Sequence, residues 1–251
     1  MGVAQSSHYV FTRSMLATWA GCCVLFGASL VYVGANQGWF KLNKAENSHK
    51  PSSVSDDKSA ELIATQLMQS PAARECLDNP DEWKRVPFFW LTSEEMRKAA
   101  FLPGTLHAPN RLGAEPICFM NRDRKQFVTI MHIGKYLCGH EGIVHGGVQA
   151  ALFDEITARP AFWNSPLNVA LTASLKINYR RPAIADQLFV VRTQLKEMDG
   201  RKAVVTAQLE DKKGNILSDA EALYITPKDD SLVPDQSAFF SKMEDVYPGR
   251  F

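Results

Sequence analysis

Residues 145–160 read HGGVQAALFDEITARP, and this segment decides the fold. Val148, Ala150, Ala151, Leu152, Phe153 and Ile156 place apolar side chains on nearly every side of a helical projection. A helix on a protein surface carries one apolar stripe, whereas a helix that is apolar all round has to be buried. The spacing predicts a helix from His145 to about Arg159. Pro160 should end it, because proline has no N–H to donate and its ring crowds the preceding turn.

The sequence around this helix is β-rich. Gln126 to Lys135 (QFVTIMHIGK) is one strand. From Asn168 to Arg180 the pattern alternates strictly, with Val169, Leu171, Ala173, Leu175, Ile177 and Tyr179 on one side. Thr172, Ser174, Lys176, Asn178 and Arg180 fall on the other side, the period of two of a half-buried strand. Gln187 to Glu197 is a third strand. Asp199-Gly200 turns into Ala203 to Glu210, and Lys213-Gly214-Asn215 turns into Ile216 to Thr226. The last four strands are expected to form a meander of antiparallel neighbours. One buried helix and one long antiparallel sheet imply a sheet curled around the helix, an α+β hotdog fold over residues 113–229.

Residues 59–112 read as a helical extension, with helices over Ser59–Gln69 and Ser93–Ala100. Residues 43–58 read as a polar linker and 230–251 as a tail. The first 42 residues are different. No charged residue occurs from Ser14 to Phe40, and Met15–Val33 (MLATWAGCCVLFGASLVYV) is apolar almost throughout. A bilayer core needs about 20 such residues in a helix, so residues 15–33 are expected to form an N-terminal transmembrane anchor. A secretory signal peptide cleaved near Val33-Gly34-Ala35 is the rival reading, and Met1–Ser6 fits the N-myristoylation pattern. The first 45 residues hold no Asp or Glu, as in mitochondrial leaders, so the expected location is a mitochondrial membrane, another intracellular membrane being the alternative.

A formal net charge of +1 gives no electrostatic ground for a nucleic-acid partner. The five cysteines, Cys22, Cys23, Cys76, Cys118 and Cys138, are odd in number and irregularly spaced, which fits no disulfide framework. His132, Cys138, His140 and His145 match no zinc spacing, so no metal is expected.

Two features carry chemistry. Gly146-Gly147 opens the buried helix, where the first turn leaves N–H groups unpaired and the helix dipole is positive. Without side chains there, a ligand oxygen can approach those donors closely. Asp154 and Glu155 lie mid-helix among apolar neighbours, where carboxylates are costly unless paired or functional. Glu155 has a natural i, i+4 partner in Arg159. Asp154 shares a face with Gly147, Ala150, Ala151 and Ala158, small residues that leave room for a ligand, and is the candidate base or nucleophile. Seven residues at about 1.5 Å rise put Gly147 and Asp154 about 10 Å apart, so one reacting carbonyl cannot meet both within a single chain. A site using both requires a homodimer.

Gly142-Ile143-Val144-His145-Gly146-Gly147, then Asp154, then the strand from Leu171 to Pro182 resemble the hotdog acyl-CoA thioesterase superfamily. The similarity is greatest to its phenylacetate-degradation and mitochondrial types, with membrane-anchored fungal members nearest, and it covers residues 126–227. The resemblance implies hydrolysis of acyl-CoA to free acid and CoA, with coenzyme A as part of the substrate and no separate cofactor. It implies that the Gly147 amide binds the thioester carbonyl, that His145 orients the loop or substrate, and that Asp154 is base or nucleophile. Thr172 would position the water or the carboxylate. Gly146, His140, Arg180 and Arg181 are the substrate-binding candidates, the two arginines for CoA. A homodimer or a dimer of dimers is expected. A hotdog dehydratase and a non-catalytic acyl-CoA-binding scaffold are the competing functions.

Overall fold

The computed structural model describes residues 54–89, 94–228, 236–237 and 240–241. The anchor expected at residues 15–33, the myristoylation pattern and residues 43–53 of the linker lie outside them. Among the described residues no helix is long and apolar enough to cross a membrane.

Among the described residues two helices come first, α1 (Val54–Gln69) and α2 (Pro71–Leu77). Helix α1 thus begins inside the segment read as linker. Ser70 separates the two and caps α2, its hydroxyl accepting from the Ala73 amide, with Pro71 in the first turn where a missing N–H costs nothing. Strand β1 (Trp83–Val86), helix α3 (Glu94–Ala99) and strands β2 (Ile117–Asn121) and β3 (Gln126–Ile133) follow. A small hairpin, β4 (Cys138–His140) and β5 (Ile143–Val144), leads into α4 (Gly146–Asn164). Strands β6 (Leu171–Tyr179), β7 (Gln187–Asp199), β8 (Lys202–Asp211) and β9 (Ile216–Ile225) follow α4.

The sheet runs β1-β2-β3-β7-β8-β9-β6, antiparallel throughout, with α4 packed across one face. Leu152, Phe153 and Ile156 of α4 meet Met131, Ile133, Phe189, Val191, Ala207, Leu209 and Ala220 of the strands in one core. On the opposite face α1 and α2 cover the β2-β3-β7 side, where Leu67, Ala73 and Cys76 pack on Ile117, Phe119, Val128, Ile130 and Val190.

Three expectations are corrected. The last four strands are not a meander, because β6 leaves its neighbour in sequence and pairs with β9 at the sheet edge, while β7 pairs with β3. Its crossover to β7 is pinned beside the start of α4, where the Val144 and Ala185 amides donate to Ala183 and Gly142 carbonyls. Residues 83–86 are a strand of this sheet, inside the segment read as a helical extension. Pro160 does not end α4, which runs on for four residues to Asn164. The orphan carbonyls of that last turn have side-chain partners: Asn164 Nδ2 donates to Pro160 O at 2.8 Å, Ser165 Oγ to Ala161 O at 2.6 Å, and Asn168 Nδ2 to Phe162 O at 3.0 Å. Phe240, from the tail segment, packs edge-on against Trp163 with ring centroids 4.9 Å apart.

Candidate active site

The middle of α4 presents Asp154 on the stripe read from the sequence. Ala150, Ala151, Asp154 and Ala158 are all half-buried, between the core residues and exposed Glu155. Glu155 Oε1 lies 3.7 Å from Arg159 Nη2, the expected pair. The buried Arg159 guanidinium also donates to Phe88 O at 2.7 Å and stacks over the Phe88 ring, which ties α4 to the segment after β1. Asp154 has a different partner: Thr172 Oγ1 donates to its Oδ1 at 2.8 Å. Among the described residues no cation pairs with Asp154.

Strict alternation along β6 would turn Thr172 away from Leu175 and Ile177, which pack against the core. The pairing of β6 with β9 slips between Thr172 and Ser174, a β-bulge that inserts Ala173 as an extra residue. Two residues then oppose one, the period shifts, and Thr172 joins Leu175 and Ile177 on the side of α4. Behind this pair, Tyr224 of β9, in register with Thr172, donates to the Asp154 main-chain O at 2.7 Å. The phenol also meets Thr157 Oγ1 at 2.8 Å, and Thr157 donates to Phe153 O at 2.6 Å. Burial, foremost, holds the Tyr224 phenol above its ordinary range, so it stays a neutral donor. Sequence reading missed Tyr224 and Thr157, because nothing in their spacing sets them apart from core residues.

The helix start is arranged differently from expectation. His145 is the N-cap, and its Nδ1 accepts from the Gly147 amide at 2.8 Å. The Gly147 donor assigned to the carbonyl is therefore engaged by the protein itself. The His145 carbonyl accepts from both Val148 and Gln149 amides, at 3.0 and 3.2 Å. That leaves the Gly146 N–H as the first-turn amide without a hydrogen bond among the described residues. Gln149, buried, accepts from Ser218 Oγ at 2.8 Å and anchors the turn to β9.

The remaining candidates are not brought to these groups. His140 is exposed on β4 and makes no hydrogen bond to them. Arg180 is on the far face of the sheet, where it ion-pairs with Asp219 in an open polar groove that Lys176, Asn178 and Glu221 also line. The Arg180 guanidinium and the Asn178 amide hold the Asp219 carboxyl below its usual range. Arg181 is exposed at the following turn. Among the described residues no three His, Cys, Asp or Glu gather as metal ligands.

A single helix laid against an antiparallel sheet, with an acid in its middle, defines a hotdog. The thioesterase superfamily profile matches residues 141–218, from the approach to α4 as far as β9. The chain is 30% identical over 189 residues to the acyl-coenzyme A thioesterase THEM4 of Rattus norvegicus, which covers 67% of this chain and 76% of that one. It is 27% identical over 172 residues to the UPF0644 protein PB2B4.06 of Schizosaccharomyces pombe, which covers 66% and 62%. Over 113 residues it is 30% identical to the uncharacterized mitochondrial membrane protein FMP10 of Saccharomyces cerevisiae, covering 44% and 46%. The matches thus span less than two thirds of either yeast relative. The chain belongs to the hotdog thioesterase superfamily.

Proposed function

We propose that the protein hydrolyses acyl-CoA thioesters as a homodimer whose sites are shared between chains. The observation that supports this reading is that β6 bonds to Asp154 near one end and to Gly146 at the other. Among the described residues β6 pairs with β9 on one side only, and it exposes Leu171 and Tyr179, 45% and 54% accessible, at the sheet edge. Its first end holds Thr172 on Asp154, and its last end holds Tyr179 on Gly146. Two such edges pairing antiparallel about the middle of β6, between Leu175 and Lys176, set Thr172 opposite the partner's Tyr179. Asp154 of one chain then faces the partner's Gly146, which closes the gap of about 12 Å that separates the two residues along one helix.

The Asp154 carboxylate keeps one oxygen on Thr172 and turns the other to a water molecule, whose proton it takes as the oxygen attacks the thioester carbonyl. The carbonyl oxygen becomes negative and is held by the partner's Gly146 N–H at the positive end of its helix. Collapse breaks the C–S bond, and the departing thiolate of CoA recovers the proton from Asp154. This moves the carbonyl donor from Gly147 to Gly146, since His145 occupies the former. The names of the relatives favour acyl-CoA as substrate and a mitochondrial membrane as location.

Mixing two inactive variants tests the shared site. Asp154→Asn removes the base, and Gly146→Val crowds the approach to the amide, where an added Cβ would lie 3.4 Å from the Tyr179 ring. In an equal mixture, random assortment makes half the dimers mixed, each with one intact site. About a quarter of wild-type thiol release should return. No recovery on mixing, or full activity of Asp154→Asn alone, would sink the proposal.

A further inference from the structure

We infer that Tyr179 is a positioning residue that fixes the direction of the Gly146 amide, the donor on which the hydrolase reading rests. A glycine pair at the start of a helix is the place where peptide planes turn most freely. Here the plane joining Gly146 to Gly147 is held at both ends. Its N–H donates to His145 Nδ1 at 2.8 Å, and its C=O accepts from the Tyr179 hydroxyl at 2.9 Å. The plane before it is held by its carbonyl, which takes the Val148 and Gln149 amides. With both planes fixed, the torsions of Gly146 are fixed, and its N–H points one way.

Gly147 makes the tighter of these grips possible. A Cβ on Gly147 would lie 3.0 Å from His145 Nδ1, and one on Gly146 would lie 3.4 Å from the Tyr179 ring and hydroxyl. His145 belongs to the loop it grips and moves with it, so it cannot locate the turn in the molecule. Tyr179 can, because it belongs to β6, in register with Ser218, whose hydroxyl reaches Gln149 in the next turn of the same helix. The facing pair Tyr179 and Ser218 thus ties the first turn of α4 to the sheet. The same strand carries Thr172 at its other end, so β6 positions the donor as well as the acid.

An oxyanion donor acts by being aimed before the charge develops, and losing one outright lowers turnover by about 10²–10³-fold. Loosening the aim costs less. Tyr179→Phe keeps the ring over Gly146 and removes the tether. The full chain carrying it should show kcat about tenfold lower, KM for acyl-CoA within about twofold, and an unchanged melting temperature. Amide hydrogen exchange should be faster in the peptide spanning Gly146 and Gly147 and unaltered elsewhere in α4. Wild-type kcat together with wild-type exchange at that peptide would overturn the inference. So would a general loss of protection with a lower melting temperature, which marks a packing role. A wild-type chain that releases no thiol would overturn the hydrolase reading instead, whatever Tyr179 does.

Discussion

Replacing Thr172 by valine removes one hydroxyl and almost nothing else. Valine has the same shape, is β-branched and suits a strand, so β6 and its bulge should persist. The lost interaction is the 2.8 Å bond to Asp154 Oδ1. Hydrogen bonds to a charged group contribute about 1.5–3 kcal/mol, and the exposure of Thr172 in the single chain puts this one at the lower end. If the bond holds the carboxylate in its attacking position, about 1.5 kcal/mol of transition-state stabilisation goes with it, close to tenfold in kcat. Thiol release by the full chain at saturating acyl-CoA gives kcat, and a substrate series gives KM, which should stay within about twofold. Thr172→Ser keeps the hydroxyl and should recover most of the loss. A valine variant with undiminished kcat would refute the reasoning. A serine variant as slow as the valine one would do the same, since it would mean that the methyl group and not the hydroxyl matters.

Tyr224→Phe removes a fully buried hydroxyl between Asp154 O and Thr157, and Thr157 keeps its bond to Phe153 O, so the cost should be about 1 kcal/mol, or about 2–4 °C in melting temperature. An unchanged melting temperature would show that the phenol contributes nothing at that position. Cys76 provides a pH test: burial, and secondarily the charge of Glu75, push its thiol from the ordinary 9.0 up to about 12. Its folded value is raised, so the unfolded thiol ionises first. Stability is full below about pH 9 and is lost as pH rises towards 12, at up to about 1.4 kcal/mol per pH unit. Cys76→Ala should therefore flatten the fall in melting temperature between about pH 8.5 and 10, and equal slopes for the two proteins would contradict this.

Much of the fold can be read in the sequence because its central helix is apolar on most of its sides. Val148 to Ile156 has to be enclosed, and the strands that enclose it carry turn residues between them. Strand order cannot be read this way. The partner of β6 is β9, some forty residues on, and neither strand's own pattern states it. Strands β1 and β2 escaped notice for opposite reasons. WKRV is too mixed in polarity to mark a face, and ICFMN is buried at every position and has no period. The alternation from Val169 to Tyr179 is perfect in the sequence and still misleads, because the bulge at Ala173 appears only in the pairing. Asp154 was legible as an acid on a stripe of small residues. The choice between Gly146 and Gly147 was not, since it depends on which way the His145 ring turns.

The helical cover on the back of the sheet has a further consequence. It divides that surface into a dry half and a wet half. Behind β2, β3 and β7 the chain has used its own α1 and α2 to satisfy Ile117, Phe119, Val128 and Ile130. Behind β8, β9 and β6 lie the Arg180–Asp219 and Lys196–Glu221 ion pairs, open to solvent. Any back-to-back stacking of two copies of the chain on that half would rest on charged groups, and an assembly held there would come apart as ionic strength rises.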